Sequence, residues 1–206
     1  MSELTILTVC SGNICRSPLA EQLIRARTRD LPDAPAITVV SAGTYALDGD
    51  TMHAKSQEVA RQLGITDAHG HRARYLAAGH LRDADLVLAM ARMHRRQIVS
   101  QEPRATKRTF TLREFARLAD AVTDEQLLGA FAAVPPAAPL KDRLTAALEL
   151  LASHRGQSHT AAHPDEDDVL DPYQRGDDAF QLSTQQILPG VEAVVRVVEL
   201  SVRAVA

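Results

Sequence analysis

The feature that most constrains the fold is a short run of strand-forming residues near the start of the chain. Residues 4–9 are leucine, isoleucine, valine or threonine, without alternation between polar and apolar positions. Such a run is typical of a strand covered on both faces, as in a parallel sheet. It ends at the loop 11–13, and Pro18 follows where the first turn of a helix would lie. The sequence therefore predicts a β-loop-α unit.

The same pattern recurs along the first half of the chain. Residues 37–40 and 86–88 repeat the buried-strand pattern, and residues 108–111 indicate a fourth strand. Helical patterns follow at residues 54–64 and 93–99. This alternation predicts an α/β fold with a four-stranded parallel sheet flanked by helices.

Beyond the fourth strand, helical patterns replace the alternation. Residues 111–114 and 123–126 each fit a capping box, and leucines between 140 and 151 mark one face of an amphipathic helix. Residues 153–168 are polar and acidic and are interpreted as a loop. We predict a helical insertion over roughly residues 115–168, just before the turn at residues 171–173.

The chain closes with a further helical pattern. Valines at helical spacing between residues 191 and 202 predict a helix that begins near residue 178. Because proline lacks a backbone N–H and glycine weakens helices, Pro189 and Gly190 are expected to kink this helix or to split it in two.

Size and charge limit the classes of function. The 206 residues fit a single domain, 1–206, which can bury a real core. A net charge of -3 gives no bulk electrostatic reason to bind nucleic acid. No stretch approaches the roughly 20 apolar residues of a membrane span, and the first residues do not resemble a signal peptide. We expect a cytoplasmic protein whose partners are small molecules or proteins.

The distribution of metal-ligand residues argues against a metal centre. The histidines, which include His69, His71 and His80, lack the spacing and cysteine partners of a zinc site. The acidic residues 165–168 lack calcium-loop spacing. We therefore predict no metal and no cofactor, and we interpret the histidines as solvated. The two cysteines, Cys10 and Cys15, are too few for a secreted disulfide scaffold and indicate site chemistry.

A thiol and a guanidinium flank the loop that follows the first strand. Backbone N–H groups of a strand-to-helix loop converge on an anion, and the helix dipole adds positive potential. The same field favours thiolate over thiol, so we expect Cys10 to be a nucleophile. Arg16 can hold two oxygens of a phosphoryl group. The expected phosphate-binding residues are Ser11, Gly12, Asn13, Ile14, Cys15, Arg16 and Ser17.

Within this loop, Asn13 can hold a left-handed conformation and the Ser17 hydroxyl can donate to the Cys10 sulfur.

A leaving oxygen also needs a proton, and Asp171, in a turn fixed by Pro172, is the candidate general acid. The same carboxylate would then activate water. Tyr45 and Tyr173 are candidates for the mouth of the site, where they could stack on an aromatic substrate.

Three segments together resemble the low-molecular-weight protein tyrosine phosphatase family. They are the loop Val9–Pro18, residues 41–44 (Ser-Ala-Gly-Thr) and the turn 171–173 (Asp-Pro-Tyr). A bare Cys-x5-Arg is weak evidence, but the full loop at the end of the first strand with this turn is highly specific.

The resemblance implies a flavodoxin-like sheet order and hydrolysis of phosphotyrosine, and of small aryl phosphates, through a cysteinyl-phosphate without metal or cofactor. It implies that Cys10, Arg16 and Asp171 are catalytic and that phosphotyrosine proteins are substrates. Cys15 resembles the family's second loop cysteine, which can form a reversible disulfide with the nucleophile. The helical insertion departs from the family and could be a lid or a docking surface for a partner.

Two alternative functions remain open from the sequence. The first is an arsenate reductase on the same fold, although Cys10 and Cys15 are the only cysteines and no relay cysteines follow. The second is a non-catalytic module that binds phosphotyrosine or another anion. Intact Cys10, Arg16 and Asp171 argue against the second alternative.

Overall fold

The computed structural model describes residues 4–32, 34–156 and 163–204. Four strands form one parallel sheet in the order β2-β1-β3-β4. The strands are β1 (Leu4–Cys10), β2 (Ile37–Gly43), β3 (Leu86–Ala89) and β4 (Thr109–Thr111). The predicted four-stranded parallel sheet is confirmed, as is the sheet order that the family resemblance implied.

Helices follow or connect the strands. In chain order they are α1 (Arg16–Thr28), α2 (Ala54–Gln62), α3 (Ala78–Asp83), α4 (Arg92–Gln101), α5 (Leu112–Asp120), α6 (Asp124–Ala132), α7 (Leu140–Ser153) and α8 (Asp177–Arg203). Among residues 4–32, 34–156 and 163–204, none of the helices combines the length and apolar character that a membrane crossing needs.

Strand β1 lies inside the sheet and is paired on both sides. It pairs with β2 from Leu4↔Ile37 to Cys10↔Gly43 and with β3 from Ile6↔Leu86 to Val9↔Ala89. Side chains alternate between faces, so Leu4 and Ile6 enter one core cluster while Leu7 and Val9 enter the other. This double coverage explains the absence of polar alternation in residues 4–9.

The chain passes from β1 to β2 on one side of β1, and the next crossover runs from β2 past β1 to β3 on the other side. In open parallel sheets, such a switch point between neighbouring strands opens a crevice at the carboxyl ends, where ligands bind. The loop after β1 lies at this crevice. The fold therefore places residues 11–15 where an α/β protein ordinarily binds its ligand.

The helical segment after β4 begins as predicted. Thr111 and Glu114 form a reciprocal capping box at the start of α5, and Thr123 and Gln126 form another at the start of α6. Helix α7 buries Leu140, Leu144, Leu148 and Leu151, the face that the leucine spacing indicated. Its status as an insertion stays a prediction.

Between α7 and the Asp171 turn, part of the predicted loop can be placed. Residues 164–167 form a short 3₁₀ turn. Ser153, the first residue of the predicted loop, belongs instead to α7, and residues 157–162 of that loop lie outside the described residues.

The expected split in the closing helix is wrong, and the alternative of a kink at Pro189 and Gly190 stays a prediction. Helix α8 runs without interruption through Pro189 and Gly190. Its buried face, which includes Ile187 and Val191, packs against the rest of the core on both sides of the proline. Packing of this amphipathic face stabilises the helix enough to offset the hydrogen bond that proline cannot donate.

Gly190 marks a close contact between α8 and α5. A Cβ atom at this position would lie 2.4 Å from Leu112 Cγ and 2.9 Å from the Leu112 carbonyl oxygen. Because backbone atoms cannot retreat as a flexible side chain can, the two helices approach this closely only where residue 190 has no side chain.

We expect Gly190→Ala to lower the free energy of unfolding by about 1–3 kcal/mol, the usual cost of overpacking. The matched control is Gly129→Ala in the exposed face of α6, where nothing lies within 4 Å of an added Cβ. That change should be neutral or stabilise by up to about 1 kcal/mol, because alanine favours helix. Urea denaturation measures both; equal effects at the two glycines would contradict the close contact.

Candidate active site

The loop between β1 and α1 is held against the end of β2 by backbone hydrogen bonds. Thr44 N donates to Cys10 O at 3.0 Å, Tyr45 N donates to Ser11 O at 3.0 Å, and His53 N donates to Ile14 O at 2.8 Å. The contact is so close that a Cβ at Gly43 would lie 2.4 Å from Ser11 O. Residues 41–44 therefore pack directly against the loop and support its backbone.

Asn13 adopts the left-handed conformation that the sequence analysis expected, with φ 54. Its side-chain amide donates to Ser17 Oγ at 2.9 Å and to Ser41 Oγ at 2.8 Å, and its Oδ1 accepts from Arg74 N at 3.0 Å. All of this capacity is used inside the protein, where Asn13 is fully buried. The strained backbone is therefore fixed by a satisfied polar network.

Cys10 ends β1 and lies beside the first turn of α1. Its Sγ is 3.0 Å from Ser17 Oγ, and the thiol is buried. Ser17 Oγ also accepts a hydrogen bond from the Asn13 amide, and its own hydrogen can point at the sulfur, since the other acceptor within reach, Ala42 O, is 3.5 Å away. The N-terminus of α1, which starts at Arg16, adds positive potential to the same place.

Arg16 connects the loop to the C-terminal third of the chain. Its Nη2 donates to Asp171 Oδ2 at 2.5 Å, and its Nη1 donates to Val169 O at 3.1 Å. The guanidinium is only 5% exposed, whereas the Asp171 side chain is 46% exposed. The Arg16 Nε atom is buried without a hydrogen-bond partner among the described residues, so the cation keeps unused donor capacity.

The segment that carries Asp171 is anchored on three sides. Val169 N donates to Met90 O at 2.8 Å, and Leu170 N donates to Gln186 Oε1 of α8 at 2.8 Å. Just before it, Asp168 pairs with Arg92 at the start of α4. These contacts hold the Asp171 carboxyl at the mouth of the loop.

The loop, Arg16 and Asp171 border one cleft of about 280 Å³. Its lining residues are Cys10, Ser11, Gly12, Ile14, Cys15, Arg16, Tyr45, Leu47, Asp50, Asp171 and Tyr173. The structure thus brings together the three expected catalytic residues and both expected mouth tyrosines. Asn13 and Ser17 do not line the cleft; both are fully buried and are hydrogen-bonded to each other. Leu47 and Asp50 were missed, because a short polar loop gives no periodic signal.

His94 is a residue of the site region that the sequence analysis missed. Its ring is fully buried, with Nε2 2.9 Å from Ser11 Oγ and Nδ1 without a partner among the described residues. Burial, assisted by the Arg16 charge, lowers the pKa of His94 to about 4, so the ring is neutral at pH 7. Its spacing of four residues from buried Ile98 on α4 was the available signal.

The interpretation of the histidines as solvated is also wrong for His71. This ring is largely buried, with Nε2 2.7 Å from Asn13 O, and burial lowers its pKa. Both rings are buried because loops and helices from elsewhere in the chain cover them. No group of three metal-ligating side chains occurs in the part of the chain that the structure describes.

Cys15 is buried at the N-terminus of α1. Burial raises the pKa of the Cys15 thiol to about 12, and the neighbouring Cys10 and Asp171 charges act in the same direction. The hydrogen bond to Ser56 and the Arg16 charge oppose this shift but are weaker. At neutral pH Cys15 is therefore a protonated thiol.

The sequence matches those of known phosphatases. The family model described as low molecular weight phosphotyrosine protein phosphatase matches residues 5–125. A probable low molecular weight protein-tyrosine-phosphatase EpsP of Ralstonia solanacearum is 41% identical over 110 residues, which are 53% of this chain and 71% of that protein. A protein-arginine-phosphatase of Geobacillus stearothermophilus is 38% identical over 110 residues, 53% of this chain and 70% of that protein.

The fold has the same relatives. The crystal structure of a low molecular weight protein tyrosine phosphatase from T. tengcongensis superposes with a TM-score of 0.63 at 25% identity, covering 94% of this chain and 99% of that one. The chain belongs to the low molecular weight phosphotyrosine protein phosphatase family.

Proposed function

We propose that the protein is a protein-tyrosine-phosphatase that hydrolyses phosphotyrosine, and small aryl phosphates, through a cysteinyl-phosphate at Cys10. The observation that carries the proposal is the convergence of three groups on one cleft. Cys10, Arg16 and Asp171 come from two distant segments and all border it. Membership of the phosphatase family supports this reading over arsenate reduction and over a binding module without catalysis.

In the first step, the Cys10 sulfur attacks phosphorus and the bond to the tyrosine oxygen breaks. Ser17 Oγ stabilises the thiolate by donating to it, and loop N–H groups hold the phosphoryl oxygens. Arg16 clamps two of these oxygens, which requires it to exchange its bond with Asp171 for bonds to phosphate. The unpaired Nε donor of the buried guanidinium supports this role.

Once phosphate replaces Asp171 on Arg16, the released carboxylate takes up a proton from solvent and supplies it to the leaving phenoxide. The Asp171 carboxyl is half exposed at the mouth of the cleft, so it can reach the departing oxygen above the phosphoryl group. In the second step, the resulting carboxylate takes a proton from water as that water attacks phosphorus. The S–P bond then breaks, and phosphate and the Cys10 thiolate are released.

The walls of the cleft favour an aromatic leaving group. Tyr45 and Tyr173 present exposed rings at its mouth, and Ile14 and Leu47 add apolar surface. A phenyl ring that enters between them buries apolar area and can stack edge-to-face. This lining supports phosphotyrosine as the substrate.

Phosphoarginine is the second candidate substrate. One relative is named a protein-arginine-phosphatase, and the exposed Asp50 carboxyl lines the cleft, where it could pair with a guanidinium. Apart from Asp50 and the proposed acid Asp171, the mouth of the cleft is apolar and aromatic, so we favour phosphotyrosine.

Two further proposals concern the 115–168 segment and the compartment in which the protein acts. We propose that the 115–168 segment is an insertion that offers a docking surface to a protein partner. We also propose that the protein acts in the cytoplasm, because a catalytic thiolate beside a second thiol works best in a reducing compartment.

The catalytic assignment predicts distinct kinetic losses in two variants. Cys10→Ser should reduce turnover to background, because a hydroxyl is a much weaker nucleophile at neutral pH. Asp171→Asn should lower kcat by about 100-fold for phenyl phosphate, and by less for p-nitrophenyl phosphate, because general-acid help matters most for a poor leaving group. Steady-state assays with chelator present measure both.

The matched control is Asp178→Asn, the same change at an exposed position in the first turn of α8. It should retain wild-type kcat for both esters. An Asp171→Asn variant that loses equal activity on good and poor leaving groups would show that Asp171 is not the acid.

Substrate class is tested by direct competition between two phosphorylated peptides of the same sequence. We expect kcat/KM for phosphotyrosine to exceed that for phosphoarginine by at least about tenfold, a difference of about 1.4 kcal/mol in the transition state. Leu47→Asp replaces an apolar side chain of the cleft wall with a carboxylate. It should lower the ratio of kcat/KM for phosphotyrosine to kcat/KM for phosphoarginine. A ratio that favours phosphoarginine in the wild type would reverse the assignment.

A role for Cys15 in redox protection predicts a specific dependence on pH. Peroxide oxidises Cys10 to a sulfenic acid, and the Cys15 thiolate then attacks Cys10 Sγ to form the disulfide and release water. Because the pKa of Cys15 is about 12, its thiolate fraction rises tenfold for each unit between pH 7 and 9. The rate of disulfide formation, followed by acid quench and mass spectrometry, should rise equally.

In Cys15→Ser, dithiothreitol should fail to restore activity after prolonged peroxide treatment, whereas the wild type recovers. A disulfide that forms at a pH-independent rate, or a variant that recovers fully, would rule out this role.

A further inference from the structure

A second depression adjoins the candidate active site. It has a volume of about 510 Å³ and lies between the residues after β2, the segment before α3, and α4. We name it the Tyr75 groove and define it by Thr44, Tyr45, Tyr75, Arg96, Gln97 and Gln101. None of these residues is part of the proposed catalytic machinery except Tyr45.

Tyr45 joins the groove to the catalytic cleft, because its side chain borders both. The side chain is 65% exposed, and its hydroxyl accepts a hydrogen bond from Gln97 Nε2 at 2.7 Å. A chain that places its phosphotyrosine in the cleft and continues past Tyr45 therefore enters the groove.

The surface of the groove combines aromatic area with positive charge. The Tyr75 side chain is 54% exposed and lines the same groove as Tyr45, which is 65% exposed, so two aromatic rings offer contact area there. Arg96 is exposed and forms no ion pair within the described ranges. No acidic side chain lines the groove. Such a surface suits an apolar contact next to a carboxylate.

Two polar atoms of the groove residues are unpaired. Thr44 Oγ1 and Gln97 Oε1 have no hydrogen-bond partner among the described residues. A hydroxyl donor and an amide acceptor match the C=O and N–H groups of an extended peptide backbone. Both atoms are covered in the free protein, so a small side-chain rotation has to accompany such bonds.

We propose that the Tyr75 groove binds the polypeptide that flanks the phosphotyrosine of a protein substrate, with an acidic side chain on Arg96. This inference rests on the proposed function for the phosphotyrosine itself. It makes the enzyme selective among phosphoproteins, which the cleft alone, filled by one phosphotyrosine side chain, does not achieve.

The test compares equal-length phosphotyrosine peptides with acidic or neutral flanking residues, and p-nitrophenyl phosphate, which occupies the cleft alone. In Arg96→Glu, the ratio of kcat/KM for the acidic peptide to that for p-nitrophenyl phosphate should fall on the order of tenfold, through KM, because like charges now meet. In Tyr75→Ala, both peptides should lose affinity while the acidic preference remains. Arg104→Glu, the same charge reversal at an exposed residue outside both cavities, should keep the wild-type ratio.

Two outcomes overturn the inference: an unchanged ratio in Arg96→Glu, or an equal loss on p-nitrophenyl phosphate and peptide. Failure of the proposed function is separable, because peptide binding to Cys10→Ser can be measured by fluorescence anisotropy without turnover. If the wild type fails to hydrolyse phosphotyrosine but the Cys10→Ser protein binds the acidic peptide through Arg96, the groove stands and the activity does not. If neither peptide binds, the inference fails too.

Discussion

The hydrogen-bond network around Asn13 is the interaction on which the candidate site depends. A left-handed residue in the middle of the loop is strained, and the loop keeps this shape only because the Asn13 amide is fully paired inside the protein. The network passes through Ser17 and Ser41 to Glu21, whose Oε2 accepts from Ser41 Oγ at 2.5 Å. Since Ser17 also contacts Cys10, one buried network sets both the backbone of the candidate phosphate loop and the hydrogen bond to the Cys10 sulfur.

Arg16 ties that loop to the far end of the chain. Its bonds to Val169 and Asp171 span more than 150 residues of sequence. In the free protein, the candidate phosphate clamp and the candidate general acid therefore neutralise each other, and the carboxyl compensates a buried cation. We propose that a bound phosphoryl group takes over this compensation and frees the Asp171 carboxyl to serve as the acid. On this proposal, substrate binding and preparation of the acid are coupled through a single guanidinium.

Sequence reasoning succeeded where the determining physics is local. Strand β1 follows from an apolar run, and the starts of α5 and α6 follow from capping boxes in which a side chain bonds the backbone three residues away. It failed where distant packing decides. Pro189 indicated a break, yet contacts of α8 with other helices keep it whole, and buried His94 looked solvated because its cover comes from other elements. Tyrosine or arginine specificity is likewise a property of walls assembled from separate loops.

The sequence by itself determined the β-loop-α unit, the thiol and guanidinium at the ends of its loop, and the aspartate turn, because neighbouring residues encode each of them. Only the tertiary structure decided that Asp171 meets Arg16, that His94 lies against Ser11, and that Tyr45 borders two cavities at once. The first two contacts join side chains 155 and 83 residues apart, and Tyr45 bonds Gln97, which is 52 residues away. The burial of two sheet faces beneath surrounding helices brings these residues together. Local sequence patterns identify the candidate reactive groups, and long-range packing brings them together in one site.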